Sequence, residues 1–569
     1  MPGADTVSTH LRYAARTGSW PTDLIIAAVF IAVYALVIHA FQYQGALGES
    51  DLYRVLVGIM AGADSGDGLA ADLHYDRDFG FGYLAAFYAF ADPATLRDPD
   101  RLMALMSQVG FWSALAGLAL FWCAVRLVHG SLTANVALIV FALAPMIPEL
   151  ATSGHQVLPM FAFLCAAAVL MFLPLTGWRA ALAGVAAWAL LLLGMTMRGE
   201  EFLAFPWLVL ARADTTSFRR FIISALLRSI APALAIVGWA VLQRIVLPAA
   251  SNEMGSTISL YFTEFYRWRT IAPGVVYMMT GCGFATVAVA AGAVVYLGWQ
   301  ELAGRRIAPA AGLGAWLGPA ALVLVPFLFF VPNPQPTRHF MLTLAGLGIF
   351  IGMACARFPR AGRATAVVAA LCIGAANQVF AELVRPPLLR INEASSPYLP
   401  VPTSYRTTTH ANLGWEWRRH EALVERRARW QAFAEEIRTT CDPHLIVLSD
   451  EGEQLFSRLY EGGAQVQAER TRIVFDPRLM PNVEGARENL HVAWVGGGEP
   501  RLVGLKGVVH GKTFLVIDKS HLWPGDAVAI ILVTPGYNDY KLIADPYTIS
   551  TFDRTPVPPD RQPTFGCQP

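Results

Sequence analysis

The stretch LHYDRDFGFGYLAAFYAF, residues 73–90, places His74, Asp76, Arg77 and Asp78 close together and then turns aromatic and apolar from Phe79 to Phe90. Whether that apolar part crosses a membrane decides the sidedness of everything after it. Its roughly 12 residues make about 18 Å of helix at 1.5 Å per residue, whereas the hydrocarbon layer is about 30 Å thick. It is too short to cross. Phe79, Phe81, Tyr83, Phe87, Tyr88 and Phe90 suit the headgroup boundary, where amphipathic rings settle. The segment reads as a helix lying in or dipping into the membrane surface.

Composition sets the rest of the chain in a bilayer. Of 569 residues, 55% are hydrophobic and only 15% charged, against about 25% charged in a soluble domain. Mean hydropathy is +0.44. These values predict a polytopic membrane protein, and the net charge of +1 offers nothing to a nucleic acid. The first apolar run, 23–41, is not followed by a small-residue cleavage site and reads as a retained span. Apolar length predicts eleven spans: 22–41, 102–128, 132–149, 156–175, 179–196, 199–211, 221–247, 274–299, 311–331, 338–356 and 364–383. The run 199–211 is short and begins with two glutamates.

Charge tests this arrangement. With 79–90 not crossing and the N-terminus cytoplasmic, one side receives Arg12 and Arg16, Arg126 and Arg179, Arg212, Arg219 and Arg220, Arg305 and Arg306, and Arg357, Arg360 and Arg363. That is the positive-inside pattern. A crossing at 79–90 would turn every later cluster outward. The other face then carries 42–78, 150–155, 197–198, 248–273, 332–337 and everything after 384.

The C-terminal third changes character. A Pro- and Ser-rich linker is predicted over 384–414, then a soluble, extracytoplasmic α/β domain over 415–569. Residues 415–441 and 453–462 have helical spacing. The runs 444–450, 490–497, 513–519 and 527–534 are short, apolar and bounded by turn residues, as strands are. Gly511-Lys512-Thr513 lacks the upstream glycine of a phosphate loop, because Lys506 stands there, and it precedes a strand; it reads as a turn. Cys441 and Cys567 could pair if the tail is extracytoplasmic.

Ionisable residues gather on the outer face. The first loop, 42–78, supplies Glu49 and Asp51 in GESDLY, then His74, Asp76 and Asp78. Later outer turns supply Glu149 and His155, then Arg198, Glu200 and Glu201; the loop 248–273 supplies Arg267 and Arg269; the last supplies Arg338 and His339. Each has an ordinary explanation. Ser50 or Asp51 could cap a helix, Arg198 could snorkel, and Arg338-His339 could anchor a span end. Together, however, acids and arginines at headgroup depth on one side mark a functional site.

The order of these motifs resembles the GT-C superfamily of polytopic glycosyltransferases, which includes protein O-mannosyltransferases, lipid A aminoarabinose transferases and oligosaccharyltransferases. The resemblance runs over about 22–383: a first span, the acidic GESDLY, the aromatic segment after HYDRD, the run RLMALMSQVGFWSALAG to PELATSGHQVLPM, the TMRGEE turn, and TRHFML before a late span. It implies a polyprenyl-phosphate-linked sugar donor, an extracytoplasmic reaction in a bacterial inner membrane, and a first-loop acid as catalytic base. That base would be Asp51 or Glu49, with Asp76 and Asp78 second. Glu149 or His155 would match a second polar group, Arg198-Gly199 a basic turn, and Arg338-His339 a late Arg-Tyr, with His in place of Tyr.

Chemistry fits those roles. Attack at an anomeric carbon needs a base at the acceptor and a stabiliser for the departing phosphate. Arginine suits the latter because its planar fork grips two oxygens. Arg198, Arg267, Arg269 and Arg338 are the candidates, with His74, Glu149, His155, Glu200 and His339 lining the substrate. Carboxylates of this kind can hold a divalent metal, although these match no dedicated metal motif. The acceptor would be an extracytoplasmic glycan, lipid or protein. A transporter of lipid or polysaccharide should instead carry midplane charges and internal repeats. A non-catalytic envelope-assembly protein would act through its tail.

Overall fold

The computed structural model describes residues 20–40, 80–214, 216–246, 268–303, 314–331, 337–358 and 362–395, the single positions 55, 59 and 63, and seven strands beyond 445. The chain divides into two units. One comprises Met1–Tyr43, Phe79–Tyr83 and Met106–His420; the other comprises Gln44–Asp78, Leu84–Leu105 and Glu421–Pro569.

The helices are α1 (Trp20–Ala40), α2 (Phe81–Phe90), α3 (Pro93–Arg97), α4 (Pro99–His129), α5 (Ser131–Ala142), α6 (Met146–Ser153), α7 (Val157–Phe172) and α8 (Gly177–Met197). After a 3-10 turn at Gly199–Ala204 come α9 (Phe205–Leu210), α10 (Phe218–Val246), α11 (Trp268–Cys282), α12 (Phe284–Leu302) and α13 (Gly314–Phe330). A second 3-10 turn, Thr337–Phe340, leads into α14 (Met341–Arg357), followed by α15 (Arg363–Ser395). Among the described residues, 7 helices are long and apolar enough to cross a membrane, or up to 8 if the bent pair α5–α6 is one span.

The differences from the eleven expected spans have local causes. The run 132–149 bends by 71° between α5 and α6, where Pro145 lacks the N–H that would continue the helix. The run 274–299 breaks at Gly283, whose φ of +89° ends α11. The run 199–211 divides into the 3-10 turn and the 6-residue α9. Expected spans 156–175 and 311–331 are helices of 16 and 17 residues. In place of the first part of the linker, α15 continues to Ser395. The short helix α2 is present, but it is not simply an aromatic surface segment: Tyr83, Leu84 and Phe87 are buried, while Phe90 is 90% exposed.

At the centre of the first unit lies α14, buried from Met341 to Ala354. A helix apolar on every side belongs inside a bundle. Its Gly348 and Gly352 are four residues apart and face α5. A Cβ at Gly352 would stand 2.5 Å from the Thr133 carbonyl oxygen, and one at Gly348 3.2 Å from that of Ala137. Small residues at this spacing let two helices approach backbone to backbone. Polar side chains fasten other pairs. On α15, Asn377 accepts from the Thr286 N–H (3.2 Å) and donates to the Thr286 hydroxyl (2.7 Å), capping α12 from outside. Asp23 of α1 accepts from Asn135 of α5 (3.3 Å) and pairs with Arg363 of α15 (3.2 Å).

In the second unit, Asp92 caps α3 by accepting from the Thr95 N–H (2.9 Å). Tyr88 and Arg97 donate to the carbonyls of Ile59 and Ala63, each at 3.1 Å. The strands are β1 (Ile446–Val447), β2 (His491–Trp494), β3 (Pro500–Val509), β4 (Lys512–Lys519), β5 (Ala527–Val533), β6 (Tyr540–Leu542) and β7 (Tyr547–Thr548). One sheet has the order β1-β4-β3; in the other, β2-β5-β6 is joined by β7 on β5. Each of the four expected strands has a counterpart, and β3, β6 and β7 were not anticipated. Val509 pairs with Lys512, and Lys512 and Thr513 open β4, so the pattern precedes a strand as expected; Gly511 lies outside the described residues. The expected helices 415–441 and 453–462, Cys441 and Cys567 lie outside the described residues.

Candidate active site

Two polar turns of the first unit meet. Arg198 ends α8: its amide donates to the Gly194 carbonyl (2.9 Å), and its own backbone is extended. The next residues tighten into the 3-10 turn that carries Glu200 and Glu201. His339 comes from the 3-10 turn before α14. Arg198 grips Glu200 with both sides of its fork, Nε to Oε2 at 2.7 Å and Nη2 to Oε1 at 2.9 Å. His339 Nδ1 lies 2.9 Å from Glu200 Oε1. Arg198 Nη2 is also 3.2 and 3.3 Å from the two ring nitrogens. One tautomer satisfies all three groups: Nδ1–H donates to Glu200, and bare Nε2 accepts from Arg198. Phe330 packs against the ring, with centroids 4.8 Å apart.

Burial makes the cluster strong. Arg198 is 9% exposed and His339 8%, while the Glu200 side chain is 26% exposed. Glu200 is therefore the corner that opens outward. It lies beyond Met197, where the apolar stretch of α8 ends. Burial alone would push its carboxyl up; Arg198 and His339 more than offset this and hold it below the usual carboxylate range. Its neighbour Glu201 is the reverse. That side chain is 0% exposed, neither oxygen has a partner, and burial pushes its carboxyl well above the usual range. Two consecutive acids thus carry opposite protonation preferences.

A third turn adds His155 and Gln156. Between α6 and α7 the chain reverses at Gly154, whose φ is +76° and where a Cβ would fall 2.1 Å from the Met106 carbonyl oxygen. Only glycine meets both conditions. His155 follows it, 1% exposed. Burial, then the charges of Arg338 and Arg198, hold its pKa well below the ordinary value. Its Nδ1 accepts from the Val157 N–H at 3.3 Å, so the neutral ring carries its proton on Nε2. Arg338 and Arg198 are thereby in the same electrostatic neighbourhood.

Gly80 and Tyr83 dock here. The Gly80 N–H donates to Gln156 Oε1 (2.9 Å), and the Tyr83 hydroxyl donates to the Gly154 carbonyl. A Cβ at Gly80 would lie 2.1 Å from the carbonyl oxygens of both Thr196 and Met197. Gly80 and Tyr83 are therefore pinned beside the α8 terminus that bears Arg198.

Of the expected site residues, Arg198, Glu200, His339, His155 and Arg338 come together. Glu149 lies on α6 and is buried. Arg269 belongs to α11, and its side chain is not described. Glu49, Asp51, His74, Asp76, Asp78 and Arg267 lie outside the described residues. Among the described residues no group of three or more His, Cys, Asp or Glu side chains forms a metal cluster. Sequence reasoning did not anticipate the docking role of Gly80 and Tyr83, although the alternating glycines of FGFG were a signal of close backbone approach. Nor did it anticipate Asp23, an acid in the first turn of an apolar helix.

No protein-family model matches the chain, and no curated protein does. Solved structures do. The chain is similar to ArnT from Cupriavidus metallidurans in the apo state, with 16% identity, a TM-score of 0.45, and coverage of 84% of this chain and 93% of that one. It is similar to the same protein bound to undecaprenyl phosphate, with 14% identity, a TM-score of 0.47, and coverage of 83% and 93%. The apo oligosaccharyltransferase of Archaeoglobus fulgidus shares 10% identity at a TM-score of 0.44, over 81% of this chain and 65% of that chain. At these values the likeness concerns the course of the chain and transfers no residue role.

Proposed function

We propose that the protein is an integral-membrane glycosyltransferase that moves a sugar from a polyprenyl-phosphate-linked donor to an extracytoplasmic glycan, lipid or protein in a bacterial inner membrane. The observation that carries the reading is the buried Arg198–Glu200–His339 cluster, with Arg338 and His155 beside it, at the ends of apolar helices. Ionisable groups are costly there and are retained for function. A planar arginine fork at headgroup depth suits a lipid phosphate, and a low-dielectric setting strengthens its hold on developing charge.

In this reading a first-loop carboxylate, Asp51 or Glu49, takes the proton of the acceptor hydroxyl or amine. The freed lone pair attacks the anomeric carbon. The bond from that carbon to the lipid phosphate breaks, and the phosphate leaves with a second negative charge. Arg198 and Arg338 stabilise that charge. Asp76 and Asp78 precede the pinned FGFGY segment in sequence and are the second choices for the base. The outer acids could also hold a divalent metal, and the soluble tail would lie on the same side as the reaction.

The test uses membranes containing wild-type protein, E49Q, D51N and the double variant, with radiolabelled lipid-linked sugars. Transfer should fall at least ~100-fold in one single variant and in the double variant, the usual scale for a lost general base. Unchanged transfer in both single variants would remove the catalytic assignment.

A further inference from the structure

Glu200 occupies the place an incoming anion would need. Three donors converge on its carboxylate: Nε and Nη2 of Arg198 and Nδ1 of His339. Beneath it the two cationic or donating side chains are buried, while Glu200 itself is 26% exposed. A carboxylate offers two oxygens to these donors, so Oε1 accepts from both residues. The phosphodiester of the donor likewise offers two free oxygens to the fork, and the phosphomonoester product offers three. The exposed corner is also the one held by the shortest tether, since Glu200 is two residues from Arg198.

We propose that Glu200 is a resident anion that exchanges with the lipid phosphate on Arg198 and His339, giving way when donor binds and retaking the fork to expel the lipid phosphate product. The inference rests on the reading of Arg198 as the phosphate-binding arginine and adds a positioning residue to it. A tethered carboxylate competes at high effective concentration. A protein that binds only with the latch open loses affinity by the open fraction. If the fork is closed about ten times in eleven, apparent affinity for the free phosphate group is roughly elevenfold weaker than intrinsic. The weakening applies to donor and product alike, and it matters most for the product, a dianion that would otherwise hold the fork tightly.

The experiment measures binding of undecaprenyl phosphate to full-length wild-type, Glu200→Gln and Arg198→Gln protein in lipid nanodiscs, with inorganic phosphate as a parallel ligand. Glu200→Gln should bind undecaprenyl phosphate about tenfold more tightly, and Arg198→Gln at least tenfold more weakly than wild type. Inorganic phosphate should show the same order if the headgroup alone is recognised, and no order between variants if the lipid chain is needed to present it. Weakened binding in Arg198→Gln with unchanged or weaker binding in Glu200→Gln would overturn the exchange while leaving the phosphate site standing. Equal undecaprenyl phosphate binding by all three proteins would overturn the phosphate site itself. Should Glu200→Gln fail to fold, Glu200→Asp serves: its charge is kept but its reach is one methylene shorter, and it too should tighten binding. An Asp variant that binds as wild type would overturn the exchange.

Discussion

Replacing Glu201 by Met should make the protein more stable. The side chain is 0% exposed, and neither oxygen has a hydrogen-bond partner. Its carboxyl group lies over Gly194, where a Cβ would come within 2.0–2.6 Å of the carboxyl atoms. Burying such a group without a partner costs ~1–3 kcal/mol on mutational scales. Methionine has similar length, no hydrogen-bonding requirement and enough flexibility to fill the same space. Glu201→Met should therefore gain ~1–3 kcal/mol, seen as a rise of a few degrees in the unfolding midpoint of detergent-solubilised protein. The gain should also depend on pH with a definite sign. Burial raises the Glu201 carboxyl, so the unfolded chain releases this proton near pH ~4.3 while the folded chain keeps it. Wild-type stability is then highest below that pH and is lost as the pH rises toward the folded value. The variant lacks this loss, so its advantage should grow between pH 5 and pH 8. A variant that is less stable than wild type, or whose advantage is flat over that range, would show that Glu201 is ionised or bonded in the folded protein. By contrast, Gly194→Ala would put a Cβ into the carboxyl group and should destabilise by ~1–3 kcal/mol, as overpacking does.

Three further outcomes follow from the geometry. In His155→Gln, the fall in stability on acidification should be shallower than in wild type. A histidine whose folded pKa is depressed lets the unfolded chain bind the extra proton, so stability is lost below pH ~6.5 by up to ~1.4 kcal/mol per pH unit; thermal unfolding at pH 5.0 and 7.5 checks it. Gly80→Ala should cost ~1–3 kcal/mol by overpacking and should also weaken undecaprenyl phosphate binding, because the FGFGY segment would be pushed off the end of α8; intact binding at wild-type affinity would separate the segment from the site. Asp23→Asn should destabilise by only ~1 kcal/mol, since its partner Arg363 is 39% exposed, and should leave phosphate binding as in wild type.

The parts of this molecule that were legible in its sequence are those governed by one dominant force. Apolar length located α1, α4, α8, α10 and α15 because dehydrating a backbone in lipid leaves little choice but helix. The strand that begins at Lys512 was legible as the short apolar run 513–519. The convergence of Arg198, Glu200, His155 and His339 could be suspected because each stood at the end of an apolar run. What did not show was geometry created by the packing of distant segments. The bend at Pro145 and the break at Gly283 interrupt runs that are apolar throughout, so hydropathy reads across them. Neither the opposite states of Glu200 and Glu201 nor the pairing of Asp23 with Arg363 could be read from adjacent letters. Those properties depend on which side of the 3-10 turn faces Arg198 and on α15 returning beside α1.

Under the proposed function, Arg198, with Arg338 and His339 beside it, holds the phosphate of a lipid-linked donor. An experimental structure with undecaprenyl phosphate bound tests it most directly. Phosphorus is expected about 4 Å from the Arg198 guanidinium carbon, with Glu200 displaced from the fork. Phosphate density away from Arg198, Arg338 and His339, with the Arg198–Glu200 pair intact, would contradict it.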